Sequence, residues 1–154
     1  MDTTAEIQLV VFDLAGERFG TEIERVHEII RLHDVTQVPR APEFVDGVIN
    51  LRGRIVPVVN LRKRFGFPEA APTRASRIVV VDVEDSTIGM AVDAVVEVAR
   101  VAAGSIEPPA PIVTTMNNEF VRGVVKRDED LIVMLDLDRV LGERARQQVG
   151  ELAA

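Results

Sequence analysis

Few side chains in this sequence could do chemistry. The two histidines, His27 and His33, stand in no metal-ligand spacing with another histidine or with a carboxylate on a helix. His27 adjoins Glu28, as a base might adjoin its orienting acid, but successive strand residues point to opposite faces, so the two do not meet. His27 therefore reads as a surface residue. The serines, Ser76, Ser86 and Ser105, include no Gly-x-Ser-x-Gly elbow, and no Walker loop or dinucleotide fingerprint occurs. The lack of cysteine excludes disulfides, thiolate catalysis and cysteine-ligated zinc; it is compatible with a reducing cytoplasm. Asp128, Glu129 and Asp130 lack the further oxygen ligands of a calcium loop and read as a solvated hairpin turn. The expectation is no enzyme, no cofactor and no metal.

One segment is basic: Arg52, Arg54, Arg62, Lys63 and Arg64 lie between Leu51 and Phe65 with no acid among them. Nucleic acid calls for interleaved aromatics, and only Phe65 and Phe67 are near; a net charge of −7 also opposes whole-surface nucleic-acid binding. An acidic protein surface is the better partner for such a patch.

These groups must be positioned by a strand-rich scaffold. Of 154 residues, 26 are Val and 11 Ile, a β-branched load that suits strands. With no Trp, no Tyr and six Phe, the core reads as aliphatic. Charged residues at 28% and hydrophobic ones at 47% describe a globular chain of one domain. No apolar run approaches the ~18 residues of a membrane helix, and the polar, acidic first residues do not read as a signal peptide.

The scaffold is used twice. Residues 9–32 match 78–101 at an offset of 69 without a gap, with 7 of 24 identical, including Gly20/Gly89, Val26/Val95 and Glu28/Glu97. Residues 43–66 match 119–142 at an offset of 76, again with 7 of 24 identical. The change of offset is a seven-residue longer connection, Ala102–Asn118 against His33–Pro42, which belongs in a surface loop. The expected organisation is a single domain, 1–154, made of two repeated barrel modules, with 143–154 a frayed helix or tail. Strands are expected at Leu9–Leu14, Arg18–Ile23, Val45–Leu51 and Ile55–Val59. Glu24–Leu32 fits a helix by spacing, whereas its copy Val95–Val101 prefers a strand. Pro57 has no N–H to donate, so Ile55–Val59 is an edge strand or carries a bulge there. Asn60 and Asp136 stand where helix caps belong. The caps read better than a metal site at Asp136 and Asp138, whose counterparts are Asn60 and Arg62. Several short strands per module suggest two small closed or nearly closed barrels.

Four runs carry a family resemblance: Arg25–Ile29 (RVHEI), Phe44–Arg62 (FVDGVINLRGRIVPVVNLR), Val92, Asp93 and Val95, and Phe120–Val124 (FVRGV). They resemble the CheW family of bacterial and archaeal chemotaxis coupling proteins, over about Ile7 to Gly142. The resemblance implies a mainly β fold of two intertwined five-stranded SH3-like barrels with short helices. It implies an adaptor that bridges the cytoplasmic tips of methyl-accepting chemoreceptors to the histidine kinase CheA. Docking to a CheW-like regulatory domain of CheA would allow alternating rings in a signalling array. It would place the protein in the cytoplasm, at membrane-associated arrays through its partners and without membrane insertion. With no room in 154 residues for a receiver or kinase, a free-standing coupler is expected.

Residue by residue, the resemblance implies that Glu28 and Arg52 lie near the receptor-contacting groove and are suited to pair. Val26, Ile29, Val92, Val95 and Val98 would supply apolar surface beside them. Gly47, Gly53 and Gly123 would be structural turn positions with no room for a side chain. Arg52 aligns with Asp128 in the second block, so the first barrel is expected to keep a basic group that the second lacks. Ala94 stands where many members have Gly, and Asn60 where many have Asp. Two different faces are expected to be used, one near Val26–Ile30 and one in the second barrel. Two other readings remain: a coupler for a non-flagellar pathway such as pilus motility or development, and a barrel that binds a small ligand or nucleic acid.

Overall fold

A computed structural model describes residues 5–32, 35–83, 86–108, 118–127 and 129–140; the expected tail, His33 and Asp128 lie outside them. The first hairpin is β1 (Glu6–Leu14) and β2 (Glu17–Glu22). A 3-10 turn, Ile23–Arg25, leads into β3 (Val26–Arg31). The β-branched Val26, Ile29 and Ile30 thus settle the ambiguous segment as a strand, held antiparallel to β6. A second hairpin, β4 (Val45–Leu51) and β5 (Arg54–Asn60), runs into a short helix α1 (Leu61–Phe65). The same order then recurs as β6 (Arg77–Val83), β7 (Ser86–Val92), β8 (Ala94–Ala102), the two-residue β9 (Ile106–Glu107), β10 (Val121–Arg127) and β11 (Asp130–Leu135), followed by a helical turn at 137–140.

The strands form two sheets, ordered β8-β1-β2-β11-β10-β9 and β3-β6-β7-β5-β4. Translating each strand of the second by the repeat offsets reproduces the first five of the other. Each sheet therefore takes its leading hairpin from one block and its remaining strands from the other block. The joints are parallel: β2 with β11 and β5 with β7. The fold is mainly β, two intertwined SH3-like barrels with short helices. One sheet has a sixth strand because β9 adds to β10; among the described residues the other carries a Thr36–Val48 bridge at the corresponding place.

Three cores follow the same logic. Leu9, Val11, Val125, Ile132 and Met134 fill one barrel, and their offset counterparts Ile78, Val80, Ile49, Val56 and Val58 fill the other. Between the barrels lies the largest cluster. Its centre is aromatic rather than aliphatic: Phe12, Phe19, Phe65, Phe67 and Phe120 stack or tilt with centroids 5.2–6.3 Å apart. All six phenylalanines gather in or against this cluster, Phe44 at its margin, because the gap between two curved sheets takes larger side chains than a narrow barrel does.

Pro57 departs from expectation. β5 is an interior strand, and the register shift in that hairpin falls on β4, at Val45/Gly47. Val48 directs both its N–H and its C=O to Thr36, each at 2.9 Å, so the Val48–Pro57 pair needs no ladder bond. Pairing of β5 with β7 begins only at Val58. The missing donor therefore breaks nothing.

Candidate functional site

The site starts from an outermost strand. β3 lies at one end of its sheet, and its pairing with β6 jumps from Val26–Val81 to Glu28–Val80, leaving His27 as the extra residue of a β-bulge. A bulge re-aims the side chains that follow it. Val26 packs on the inter-barrel core, whereas Ile30, two residues past Glu28, packs on the interior of its own barrel.

The partner of Glu28 comes from the β4–β5 turn. Leu51 pairs with Arg54, so the loop is the two residues Arg52 and Gly53, with φ of 53° and 83°. Positive φ at both places is a type I′ turn, which matches the twist of a hairpin but suits Asn-Gly far better than Arg-Gly. An L-residue there costs about 1–2 kcal/mol. Asn50 Oδ1 accepts from the Gly53 N–H at 2.9 Å and fixes the turn. From it Arg52 Nη1 donates to Glu28 Oε2 at 2.8 Å, with the arginine side chain 78% exposed and the glutamate 24%. The carboxylate is half sunk and its cation is held out in solvent.

The other expected residues separate. Ile29 and Val98 are exposed, at 39% and 48%. Val26 and Val95 are half-buried against the inter-barrel core. Val92 is 3% exposed and packs into that core, so it offers far less surface than Ile29 or Val98. Of the three glycines, only Gly53 lies in a turn, where a Cβ would meet nothing within 4 Å, so its constraint is φ alone. Gly47 lies in β4 at φ +148°, where a Cβ would sit 2.2 Å from the Thr36 carbonyl oxygen. Gly123 lies in β10, where a Cβ would sit 2.6 Å from Ile106 Cγ2.

The second barrel does not lack a basic group. Arg127 Nη1 stands 3.1 Å from Glu97 Oε1, an ion contact without the hydrogen bond that joins Arg52 to Glu28, so an acid–arginine contact recurs with the arginine one residue earlier than the offset predicts. A gapless alignment scores position 128 and misses it.

The basic run is not a free patch. Arg62 grips Asp93 with two bonds, Nε to Oδ1 at 3.1 Å and Nη2 to Oδ2 at 2.6 Å, and Asp93 Oδ2 also accepts from the Ala15 N–H at 2.9 Å. Burial pushes the Asp93 carboxyl up, but the Arg62 and Ala15 hydrogen bonds and the Arg62 charge outweigh it and hold it below the usual carboxylate range. Lys63 lies 3.4–3.5 Å from Glu69 and Asp46. Arg64 covers the rings of Phe120 and Phe44, at 4.7 and 5.1 Å. Arg54 donates to Thr87. Folding thus engages Arg62, Lys63 and Arg64 with the chain's own acids and rings, while Arg52 and Arg54 stay exposed.

His27 meets Asp82, not Glu28, with Nε2 to Oδ1 at 2.7 Å. Asn60 accepts the Lys63 N–H at 3.2 Å and caps α1. Asp138 pairs with Arg25 at 3.0 Å and Asp136 lies 3.7 Å from Arg139. Among the described residues no group of three or more His, Asp or Glu could hold a metal, and no helix is long and apolar enough to cross a membrane. A hollow of about 670 Å³ is lined by Asp13, Glu17, Asp93, Glu129 and Asp130 with Arg18, a lining that repels nucleic acid.

Comparison with known proteins agrees with this geometry. A family model described as "CheW-like domain" matches residues 8–145. A chemotaxis protein CheW from Treponema pallidum is 32% identical over 151 residues, covering 96% of this chain and 89% of that protein. Another, from Rhizobium meliloti, is 34% identical over 140 residues, with 91% and 90% covered. The crystal structure of the scaffolding protein TtCheW from Thermoanaerobacter tengcongensis superimposes with a TM-score of 0.84 at 40% identity, covering 92% and 91% of the two chains.

Proposed function

Because the chain belongs to the CheW-like domain family, we propose that it joins the cytoplasmic tip of a methyl-accepting chemoreceptor to the CheW-like regulatory domain of the kinase CheA. It is a coupling adaptor of chemotaxis and not an enzyme. The receptor docks at the outer edge of β3, around Glu28, Arg52, Ile29 and Val26, with Val95 and Val98 of β8 adding apolar surface. The kinase domain docks elsewhere on the barrels.

The observation that carries this reading is the Glu28–Arg52 pair. An exposed ion pair contributes about 0–1 kcal/mol to stability, no more than the cost of holding Arg52 at φ 53°. Folding gains nothing net from an arginine in this turn. A docked partner would, because desolvation strengthens the pair and an exposed aliphatic, Ile29, lies beside it as an anchor.

The test is calorimetry with the two partners taken separately: a soluble receptor signalling fragment and the isolated regulatory domain of CheA. Both should bind wild type, and Arg52→Ala should weaken the receptor fragment while leaving the kinase domain unaffected. Failure of the fragment to bind wild type, or equal loss toward both partners, would overturn the assignment.

A further inference from the structure

The far end of β3 carries charge that folding leaves uncompensated. Arg31 closes β3, Arg77 opens β6, and the two are direct cross-strand partners. Side chains directly opposite share a face of the sheet, and like charges so placed are destabilising. Arg74 adds a third guanidinium from the turn before β6. The three arginines line one hollow of about 420 Å³ together with Leu32, Thr73 and Ser76. No acid and no aromatic ring lines it. Among the described residues none of the three has a carboxylate within 4.0 Å, whereas Arg62 and Lys63 are each held by acids. The chain as a whole carries a charge of −7, so three unanswered cations in one concavity are not a consequence of composition.

The remaining polar lining donates as well. The turn at 73–76 is fixed through its own hydroxyl oxygens: Ser76 Oγ accepts from the Thr73 N–H at 2.8 Å, and Thr73 Oγ1 accepts from the Ala75 N–H at 3.1 Å. Each oxygen is thus engaged as an acceptor, and among the described residues neither hydroxyl proton has an acceptor of its own. Ser76 is 8% exposed, one of the few buried polar residues. Arg77 Nη1 donates to the Arg74 and Ser76 carbonyls, each at 2.8 Å. Those bonds hold its guanidinium in place and occupy the carbonyls that would otherwise repel an anion. What faces the hollow is a fixed set of donors with three positive charges, the arrangement that binds an oxyanion.

We propose that Arg31, Arg74 and Arg77, with the Thr73 and Ser76 hydroxyls, form a binding site for a phosphate group. A carboxylate offers one charge and two oxygens in one plane, enough for a single guanidinium fork. Three guanidiniums and two hydroxyls, supplied by β3, the turn and β6, suit a tetrahedral oxyanion with two charges and oxygens in several directions. Binding also relieves the repulsion between Arg31 and Arg77, so the ion stabilises the fold. The same chemistry is met on a free phosphate and on a phosphomonoester lipid headgroup. A chain of charge −7 is repelled by an anionic bilayer, which favours the free ion. The site does not depend on the receptor reading, because neither Glu28 nor Arg52 lines it.

The experiment is calorimetry of the full chain with inorganic pyrophosphate at constant ionic strength, with sodium chloride as the control and melting curves alongside. Wild type should bind one pyrophosphate and melt higher in its presence than in chloride. Arg31→Gln and Arg74→Gln, whose side chains hold nothing else among the described residues, should each weaken binding by about tenfold or more, and the two together should abolish it. Without the ion, Arg31→Gln should melt no lower than wild type, because it removes a facing like charge; an arginine with a merely structural role would lower the melting temperature. In a second arm the chain is sedimented with phosphatidylcholine vesicles, with and without phosphatidic acid. Pyrophosphate binding with no pelleting assigns the site to a free ion, and pelleting that needs phosphatidic acid and is lost in Arg31→Gln assigns it to a headgroup. No binding of pyrophosphate or of phosphatidic acid vesicles by wild type overturns the site, as does binding that the two variants leave unchanged.

Discussion

Replacing Arg52 by asparagine separates recognition from stability. The residue holds φ 53° in a type I′ turn, a conformation that asparagine tolerates with little strain. Arg52→Asn therefore recovers about 1 kcal/mol of backbone strain and gives up an exposed ion pair of about 0–1 kcal/mol. The net change in stability is within about 1 kcal/mol, or a melting shift of no more than about 2–4 °C for a chain of this size. Binding behaves differently. The Glu28 side chain is already three-quarters covered, and a docked partner completes its burial. Removing the guanidinium then leaves a desolvated carboxylate without a cation, a loss of about 2–5 kcal/mol, or about 30- to 4,000-fold in affinity. The assay is receptor-fragment calorimetry beside urea denaturation, for wild type, Arg52→Asn and Arg52→Ala. The alanine variant keeps the strain, so it should be the less stable of the two and equally poor in binding. Wild-type affinity in Arg52→Asn, or an affinity that ranks with stability across the three proteins, would refute the reasoning.

Asp93→Asn should lower stability by about 1–2 kcal/mol at neutral pH, after allowance for partial exposure of the pair. Because the folded carboxyl is held below its ordinary value of about 3.9, that contribution is complete above the unfolded pKa and is lost as pH falls through the lower folded one; denaturation at pH 7, 4 and 2.5 should show the gap between variant and wild type closing. Gly47→Ala should cost about 3 kcal/mol or more, since its Cβ meets a backbone carbonyl, whereas Gly53→Ala, with open space and only φ against it, should cost about 1 kcal/mol; melting curves distinguish them. Val92→Ala should cost about 1.5–3 kcal/mol from the core, while Val98→Ala should stay within about 0.5 kcal/mol and show its effect only in receptor binding.

Much of the scaffold is legible in the residues. The strand Val45–Leu51 is bounded by its own turn chemistry, and the two offsets predict which residues share a core, down to Met134 against Val58. The pairing of Glu28 with Arg52, 24 positions apart, needs the family resemblance, because nothing local joins a mid-strand acid to a distant turn. The rest depends on facts that periodicity does not carry. Val92 looks like the surface valines near it, and only its place in the inter-barrel core buries it. The bulges at His27 and Val96 add one residue to a pairing and leave the apolar pattern intact. Exchange of the leading hairpins is invisible because both blocks read identically whether they close on themselves or on each other. Arg127 escaped because a one-residue shift defeats a gapless comparison even where the side chain spans the difference.

Recruitment of the kinase to receptor-bearing membranes tests coupling most directly. CheA should pellet with those membranes, and its autophosphorylation should respond to the receptors, only when this chain is added; Arg52→Asn should abolish both effects at an unchanged melting temperature. CheA that pellets and responds equally without the chain, or a variant that couples as well as wild type, would contradict the account.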